Sequence, residues 1–434
     1  MNALQMLANA VRRMETMFPG YFEEAKHNHY RDFGYPDHLG FAQFYAMFRR
    51  NGLAAAGVEK TILKTWQDTP DIWETEKPRE TTLESDIRQR FQDLRFWQAV
   101  AEADRRSLVG GYSGLILRYA DSKRFQEPVD TVPGGLDGLV EVIPAWAGQL
   151  EVAEWDTDER SEQYGTPRMF SFNEAAVGEK QNRNRAFSLH PDRVLIWSRD
   201  GTVHDRSMLE PGYNALLDLE KISGAGGEGF WKNAKSAPVL ELDKEAKIAD
   251  MAAAMGVPVD ELADAMDAQV DDFQKGFDKL LMLQGMTAKT LAVSLPIPEH
   301  FFNVSLQIFA ASIPMPQKIL VGNQTGERAS TEDAAEWNAT NMARRNNVAI
   351  PNIRTLLDKL ERASVLPERD WHVNWTDLTE SSAAEKIDRG GKMADINAKQ
   401  SMIDGPAYTV EEIREATGYE GSGPTPFGDD DDEE

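Results

Sequence analysis

Among the 434 residues there is no cysteine. That absence excludes disulfide frameworks, thiolate metal sites and cysteine nucleophiles together. Cations are also scarce relative to acids: 47 Lys and Arg stand against 72 Asp and Glu, for a net charge of -25. A protein that grips DNA phosphates needs clustered Lys and Arg, so that class is excluded. What remains is an ordinary acidic protein, or a surface that stays near nucleic acid without adhering to it. Long apolar runs are missing too. The longest, FFNVSLQIFAASIPM from Phe301 to Met315, is interrupted by Asn303, Ser305 and Gln307 and is too short to cross a bilayer. With no basic and apolar leader pattern either, the expectation is a soluble chain assembled in a cytoplasm, without membrane contact.

The seven histidines, His27, His29, His38, His190, His204, His300 and His372, give one close pair, His27 and His29. A spacing of two does not put both imidazoles on one helix face, as an i, i+4 metal pair requires. No G-x-S-x-G elbow or H-E-x-x-H helix occurs, so no catalytic, cofactor or metal site is expected and the chain does not read as an enzyme.

What the chain does have is 41% apolar content, enough for a sizeable core in two or three compact units. Residues 82–109 place Leu83, Ile87, Phe91 and Leu94 on one helical stripe, with Thr82 and Ser85 set to cap its start. Strand-like runs follow at 113–120, 138–147, 149–155, 167–172 and 193–198, separated by Gly, Pro, Asp and Asn clusters. Helix returns at 209–234, with Pro211 in its first turn. Next come a strand-like PVLEL at 238–242, a helical block, an apolar KTLAVSLPI at 289–297 and a further helical region from Pro298. Near the end, Thr409 and Glu412 form a capping-box signal, and Asp429 to Glu434 reads as a solvated, disordered tail. The class is α+β.

Two stretches mimic nucleic-acid chemistry. IADMAAAMGVPVDELADAM at 248–266 has helix-turn-helix spacing, yet no Lys or Arg lies between Lys247 and Lys275. A recognition helix there would meet phosphates with carboxylates, so a packed helical hairpin is expected. KILVGNQTGERASTEDAAEW at 318–337 looks like a phosphate loop, but Glu327 and Arg328 stand where Lys and Ser/Thr are required. Ten tryptophans fit core packing first and a large subunit contact second.

In their order these pieces resemble the portal proteins of tailed bacteriophages. The likeness is carried by ADRRSLVGGYSGLILRYAD (103–121), LVEVIPAWA, YGTPRMFSF, HPDRVLIWSRDG (190–201), IPMPQKILVGNQTGERAST (313–331) and WTDLTESSAAEKIDRGGKMADINAKQSMIDGPAYTVEEIREATGYE (375–420). It implies a wing at 1–208, made of helices and then a β-rich block; a first stem helix at 209–235; a clip with an acidic helical insert at 236–298; and a second stem helix at 299–312. A tunnel loop and helix would follow at 313–365, then a wing return, short crown and acidic tail at 366–434. The insert at 243–285 is larger than a short clip, and the C-terminal region is short for an extended barrel.

By the same resemblance the function is a capsid-vertex ring in the virion, a dodecamer through which double-stranded DNA passes without sequence-specific binding. The implied partners are the major capsid protein, a terminase motor and a neck or tail adaptor. The tunnel loop facing DNA would be Gly322, Asn323, Gln324, Thr325, Gly326, Glu327 and Arg328, with its helix capped by Ser330 and Asp333. Glycines give that loop backbone freedom, and no strong cation in it grips phosphate. Clip contacts would come from Met251, Met255, Met266, Phe273 and Phe277. Two other classes stay open on the residues alone: an acidic enzyme built on a pocket of perturbed acid and base groups, and an acidic capsid adaptor or scaffold without a DNA tunnel.

Overall fold

The computed structural model describes residues 29–75, 81–174, 177, 186–234, 238–242, 247–265, 267–268, 286–290, 298–322, 327–380, 383–400 and 405–418. The described residues open with a short helix α1 (His29–Asp32), α2 (Phe41–Arg50) and α3 (Gly52–Thr65). Asn51 lies between the last two and caps α3, its side-chain oxygen accepting from the N–H groups of Leu53 and Ala54. A short β1 (Asp71–Trp73) leads to α4 (Thr82–Asp93) and α5 (Phe96–Gly110).

The sequence predicts one helix over 82–109, and the structure breaks it at Arg95, where φ is 49°. The break lets Phe91 and Phe96 stack face to face with centroids 3.9 Å apart, both buried. In an unbroken helix, residues five apart point about 140° apart and such a stack is impossible. The cap also differs from expectation. Thr81 and Glu84 form the capping box, because Glu84 N–H donates to Thr81 Oγ1 while Thr81 N–H donates to the Glu84 carboxylate.

The β-rich block forms as expected. Strand β2 (Ser113–Tyr119) is the centre of an antiparallel sheet, flanked by β3 (Leu139–Trp146) and later by β7 (Val194–Trp197). A second antiparallel sheet, β4 (Leu150–Trp155), β5 (Pro167–Asn173) and β6 (Ala186–Leu189), lies against the first. Alternation divides β2 between two cores. Leu115 and Leu117 pack with α4 and α5, while Ile116 packs with Leu150, Phe170 and Phe172 of the second sheet. Covered on both faces, β2 therefore reads as a continuous apolar run. Gly114 sits on the Ile116 face, and a Cβ there would run into Leu150.

After β7 come α6 (Tyr213–Ala234), β8 (Pro238–Leu242), α7 (Ile248–Met255), β9 (Met286–Thr290), α8 (Glu299–Ser312) and α9 (Gln317–Val321). One long helical rod follows: α10 (Glu327–Arg344), a π segment (Arg345–Ala349) and α11 (Ile350–Arg362). Pro351 explains the π segment. It has no N–H and its ring would meet the carbonyl one turn back, so the rod widens there and Ile350 N–H reaches Arg345 O. A strand β10 (His372–Asn374) pairs with β1, and α12 (Ala383–Gln400) and α13 (Val410–Thr417) pack on each other. Thr409 and Glu412 make the predicted capping box.

At the meeting point of α3, α5, β7 and α10 lies Asp104, fully buried. Its carboxylate accepts from Trp66 Nε1 at 2.8 Å, Trp197 Nε1 at 2.9 Å and both amino groups of Arg344. Arg345 beside it is buried too, bonded to the Asp68 carboxylate and to the Thr65 and Thr376 carbonyls, with its guanidinium 4.3 Å from the Trp375 ring centroid. Burial pushes the Arg345 pKa down from its ordinary value while Asp68 pulls against that shift.

Removing one partner of a buried pair strands the other charge. Asp104→Asn is expected to destabilise the chain by about 3–5 kcal/mol in urea unfolding, and the double change Asp104→Leu with Arg344→Met to be less damaging than Asp104→Leu alone, while the Trp66 and Trp197 N–H groups still lose their acceptor. An Asp104→Asn variant as stable as the parent would contradict this account.

Candidate functional site

The strongest local candidate is the path from α6 through α8 into the polar connection after α9. Helix α8 buries Leu306, Phe309 and Ala310, spaced at three and four residues, against Tyr213, Leu216 and Leu219 of α6. The helices approach closely because Gly212 precedes α6: a Cβ there would meet the Phe309 ring at 2.6 Å and also Ser312. Between these helices in the chain, β8 and β9 pair antiparallel, Pro238 opposite Thr290 and Leu242 opposite Met286.

Beyond α8 the apolar residues alternate, so Ile313 and Met315 are buried and Pro314 is not. Pro316 then starts α9, which Gly322 ends in the left-handed region at φ 80°. Residues 323–326 lie outside the described residues, so of the predicted loop Asn323, Gln324, Thr325 and Gly326 have no described placement. Glu327 and Arg328 form the first turn of α10. The expected Ser330/Asp333 cap is therefore corrected: α10 starts before Ser330, and the Asp333 carboxylate faces Lys318 of α9 at 3.7 Å. The apolar pattern expects packed flanks from Ile319, Leu320, Val321, Ala334, Ala335 and Trp337; Leu320 and Trp337 are buried and Ile319 partly so, whereas Val321, Ala334 and Ala335 are exposed.

The segment with helix-turn-helix spacing forms a small unit of its own. Helix α7 ends at Gly256 with φ 71°, a 3-10 turn Val259–Glu261 follows, and Met251, Ala252 and Leu262 pack together. Of the predicted contacts, Met251 is only 4% exposed and Met255 is partly exposed. Met266 has no described placement, and Phe273 and Phe277 lie outside the described residues. Sequence reasoning missed the outward apolar groups of this unit, Ile248 and Val259.

A cleft of about 430 Å³ lies between α3, α5, α10 and the end of α8, lined by Thr61, Leu108, Arg206, Ile313, Trp337 and Asn341 among others. Two charged pairs at its wall are already satisfied, Arg199 with Asp205 and Arg344 with Asp104. Among the described residues, no group of three or more His, Asp and Glu is placed to hold a metal ion. None of the described helices is long and apolar enough to cross a membrane.

A family model for phage portal proteins matches residues 42–399. The chain belongs to the phage portal protein family. No curated protein matches the chain. Among solved structures, a chain of the virion of a native gene transfer agent particle aligns at 14% identity and TM-score 0.46, covering 87% of this chain and 92% of that one. A chain from the neck of an empty gene transfer agent particle, computed with C6 symmetry, aligns at 14% identity and TM-score 0.49, with the same coverage of 87% and 92%. A third, from the neck of a native particle computed with C12 symmetry, gives 12% identity and TM-score 0.45 over 85% and 95%.

The portal family match runs from α2 into α12 and so takes in the buried Asp104 site, the α6–α8 pair and the polar connection. For this portal chain, Gly212→Val is expected to pry α6 from α8 and lower stability by about 1–3 kcal/mol, as overpacking does. Thermal unfolding checks it, and an unchanged midpoint would remove the close approach from the account.

Proposed function

We propose that the chain is the subunit of a closed ring at a capsid vertex, the channel through which double-stranded DNA is packaged and later ejected. The observation that carries this reading is the chain path just described: two packed helices with an antiparallel strand pair between them in the chain, then a polar connection that leaves a short helix at a glycine and enters a long helical rod, in a member of the portal family. The proposed organisation is a wing at 1–208, stem helices at 209–235 and 299–312, a clip at 236–298, a tunnel loop and helix at 313–365, and a wing return, short crown and tail at 366–434.

Subunits meet head to tail, and such heterologous contacts close into a ring when the rotation between neighbours allows it. The clip is the proposed seat of the terminase motor and later of the neck or tail adaptor, through Met255, Ile248 and Val259 on the outside of the α7 unit. The wing faces the major capsid protein. DNA passes without being read, because a ring of twelve carries about -300 of net charge and repels phosphate along its length. The residues proposed to face it are Gly322, Asn323, Gln324, Thr325, Gly326, Glu327 and Arg328. The particle is assembled in the host cytoplasm, and no step of this function is enzymatic.

Native mass measurement tests the ring, with a dodecamer expected and only weak duplex retention at physiological salt. A monodisperse monomer at micromolar concentration in both low and moderate salt, or tight and steeply salt-dependent duplex binding, would overturn the reading. The loop is tested separately by changing Asn323, Gln324 and Thr325 to alanine. Ring yield on size exclusion is expected to stay normal while DNA per filled head falls. Normal packaging, or rings that fail to assemble, would make the loop a surface turn or a subunit contact instead.

A further inference from the structure

Helix α9 has five residues, too few to hold itself by propensity. Its C-terminal carbonyls have no donors within the helix, as at any helix end. Three of the last four are nonetheless satisfied. Gly322 N–H donates to Lys318 O at 2.8 Å, which the left-handed backbone of a glycine permits. The next two carbonyls, Ile319 O and Leu320 O, both accept from one group, the Lys60 ammonium on α3, at 2.6 and 3.0 Å. Lysine suits the place, since it offers three donors and a positive charge at the negative end of a helix.

Lys60 stands on a helix already fixed in the core. Ala54 and Val58 of α3 are buried in the same cluster as Leu320 of α9 and Trp337 of α10. The other tie across the connection, Lys318 to Asp333, spans 3.7 Å between side chains 38% and 28% exposed. Exposed pairs of that kind contribute little, whereas hydrogen bonds from an ionised donor are roughly twice as strong as neutral ones. Of the two ties, the Lys60 grip dominates.

We propose that Lys60 is a positioning residue for the connection between α9 and α10. It completes the C-terminus of α9 and fastens it to α3, so that a wing helix sets the point and direction at which the polar chain departs at Gly322. Its importance for DNA rests on the tunnel reading above, while the anchoring itself does not. The sequence hides the link, because Lys60 lies about 260 residues from the carbonyls it serves.

The cysteine-free chain makes the test direct. A single Val321→Cys change, at a half-exposed position ending α9, takes a nitroxide spin label on the full-length protein. Adding Lys60→Met is expected to shift the label spectrum from its slow to its fast component, with Lys60→Arg restoring the slow one because its guanidinium again supplies donors. A control label at Leu63→Cys, exposed on α3, should not change. An unchanged Val321 label in Lys60→Met overturns the proposal, and so does equal loosening at both labels, which would mean general loss of α3 packing. If Lys60→Met does not fold, Lys60→Gln is read by the same criteria. DNA retained per filled head is measured alongside: a loss with Lys60→Met supports both readings. A label shift with normal retention upholds the anchoring and counts against the tunnel reading alone.

Discussion

A carboxylate taken fully out of water governs how the wing meets the long rod. Ionised groups are costly to bury unless every lone pair is answered, and Asp104 is answered from three directions. Trp66 approaches from the end of α3, Trp197 from β7, and Arg344 from α10. Each of those elements must arrive in a particular position or leave a charge unpaired. The tryptophans serve this site before any interface. Trp66 lies 6.3 Å from Trp97, 6.2 Å from Trp197 and 4.8 Å from Trp375 between ring centroids, so its indole joins the buried Asp104 to the neighbouring Arg345 and Asp68 pair.

Elements governed by neighbours in sequence were legible. The five strand runs between residues 113 and 198 all form, and a helix opens directly after Pro298 as read, because alternation and 3.6-residue spacing are local signals. Features decided by distant partners were not. Nothing in residues 82–109 announces a left-handed Arg95, since the break is justified only once Phe91 and Phe96 stack. The start of α10 was placed too late for a similar reason: Asp333 resembles a capping residue until Lys318 of α9 comes into reach. For the candidate loop, the glycine at its start was readable from pattern, whereas which flanking residues are buried and the Lys60 anchor were not.

Asp104 itself carried a signal that composition obscured. In a chain with 72 acids a single aspartate attracts no notice. Yet it falls four residues after Val100 and three before Ser107, on the stripe of α5 that also buries Phe96 and Ala103. A charged residue on an apolar helical stripe implies a buried partner, and the tryptophans and paired arginines of this chain are the groups able to supply one.

The same logic accounts for a helix that pattern analysis undervalues. Helix α10 has almost no apolar side, but its inward positions still recur at helical spacing into the π segment: Trp337 and Asn341, buried, then the partly buried Arg344 and the buried Arg345. The stripe is polar and answered. Asn341 donates to Trp337 O and accepts from Thr65 Oγ1 at 3.1 Å, and the two arginines reach Asp104 and Asp68. An apolar stripe slid by one turn would still find apolar neighbours and lose little. A one-turn slip of α10 would leave the buried Asp104 carboxylate and the buried Arg345 guanidinium without their charged partners, at a cost of about 3–5 kcal/mol for the Asp104 pair and less for the half-open Asp68 one. The buried pairs therefore fix the axial position of the rod against the wing. Helix α3 thus bonds to both neighbours of the polar connection, to α10 through Thr65 with Asn341 and Arg344, and to α9 through Lys60 with the Ile319 and Leu320 carbonyls.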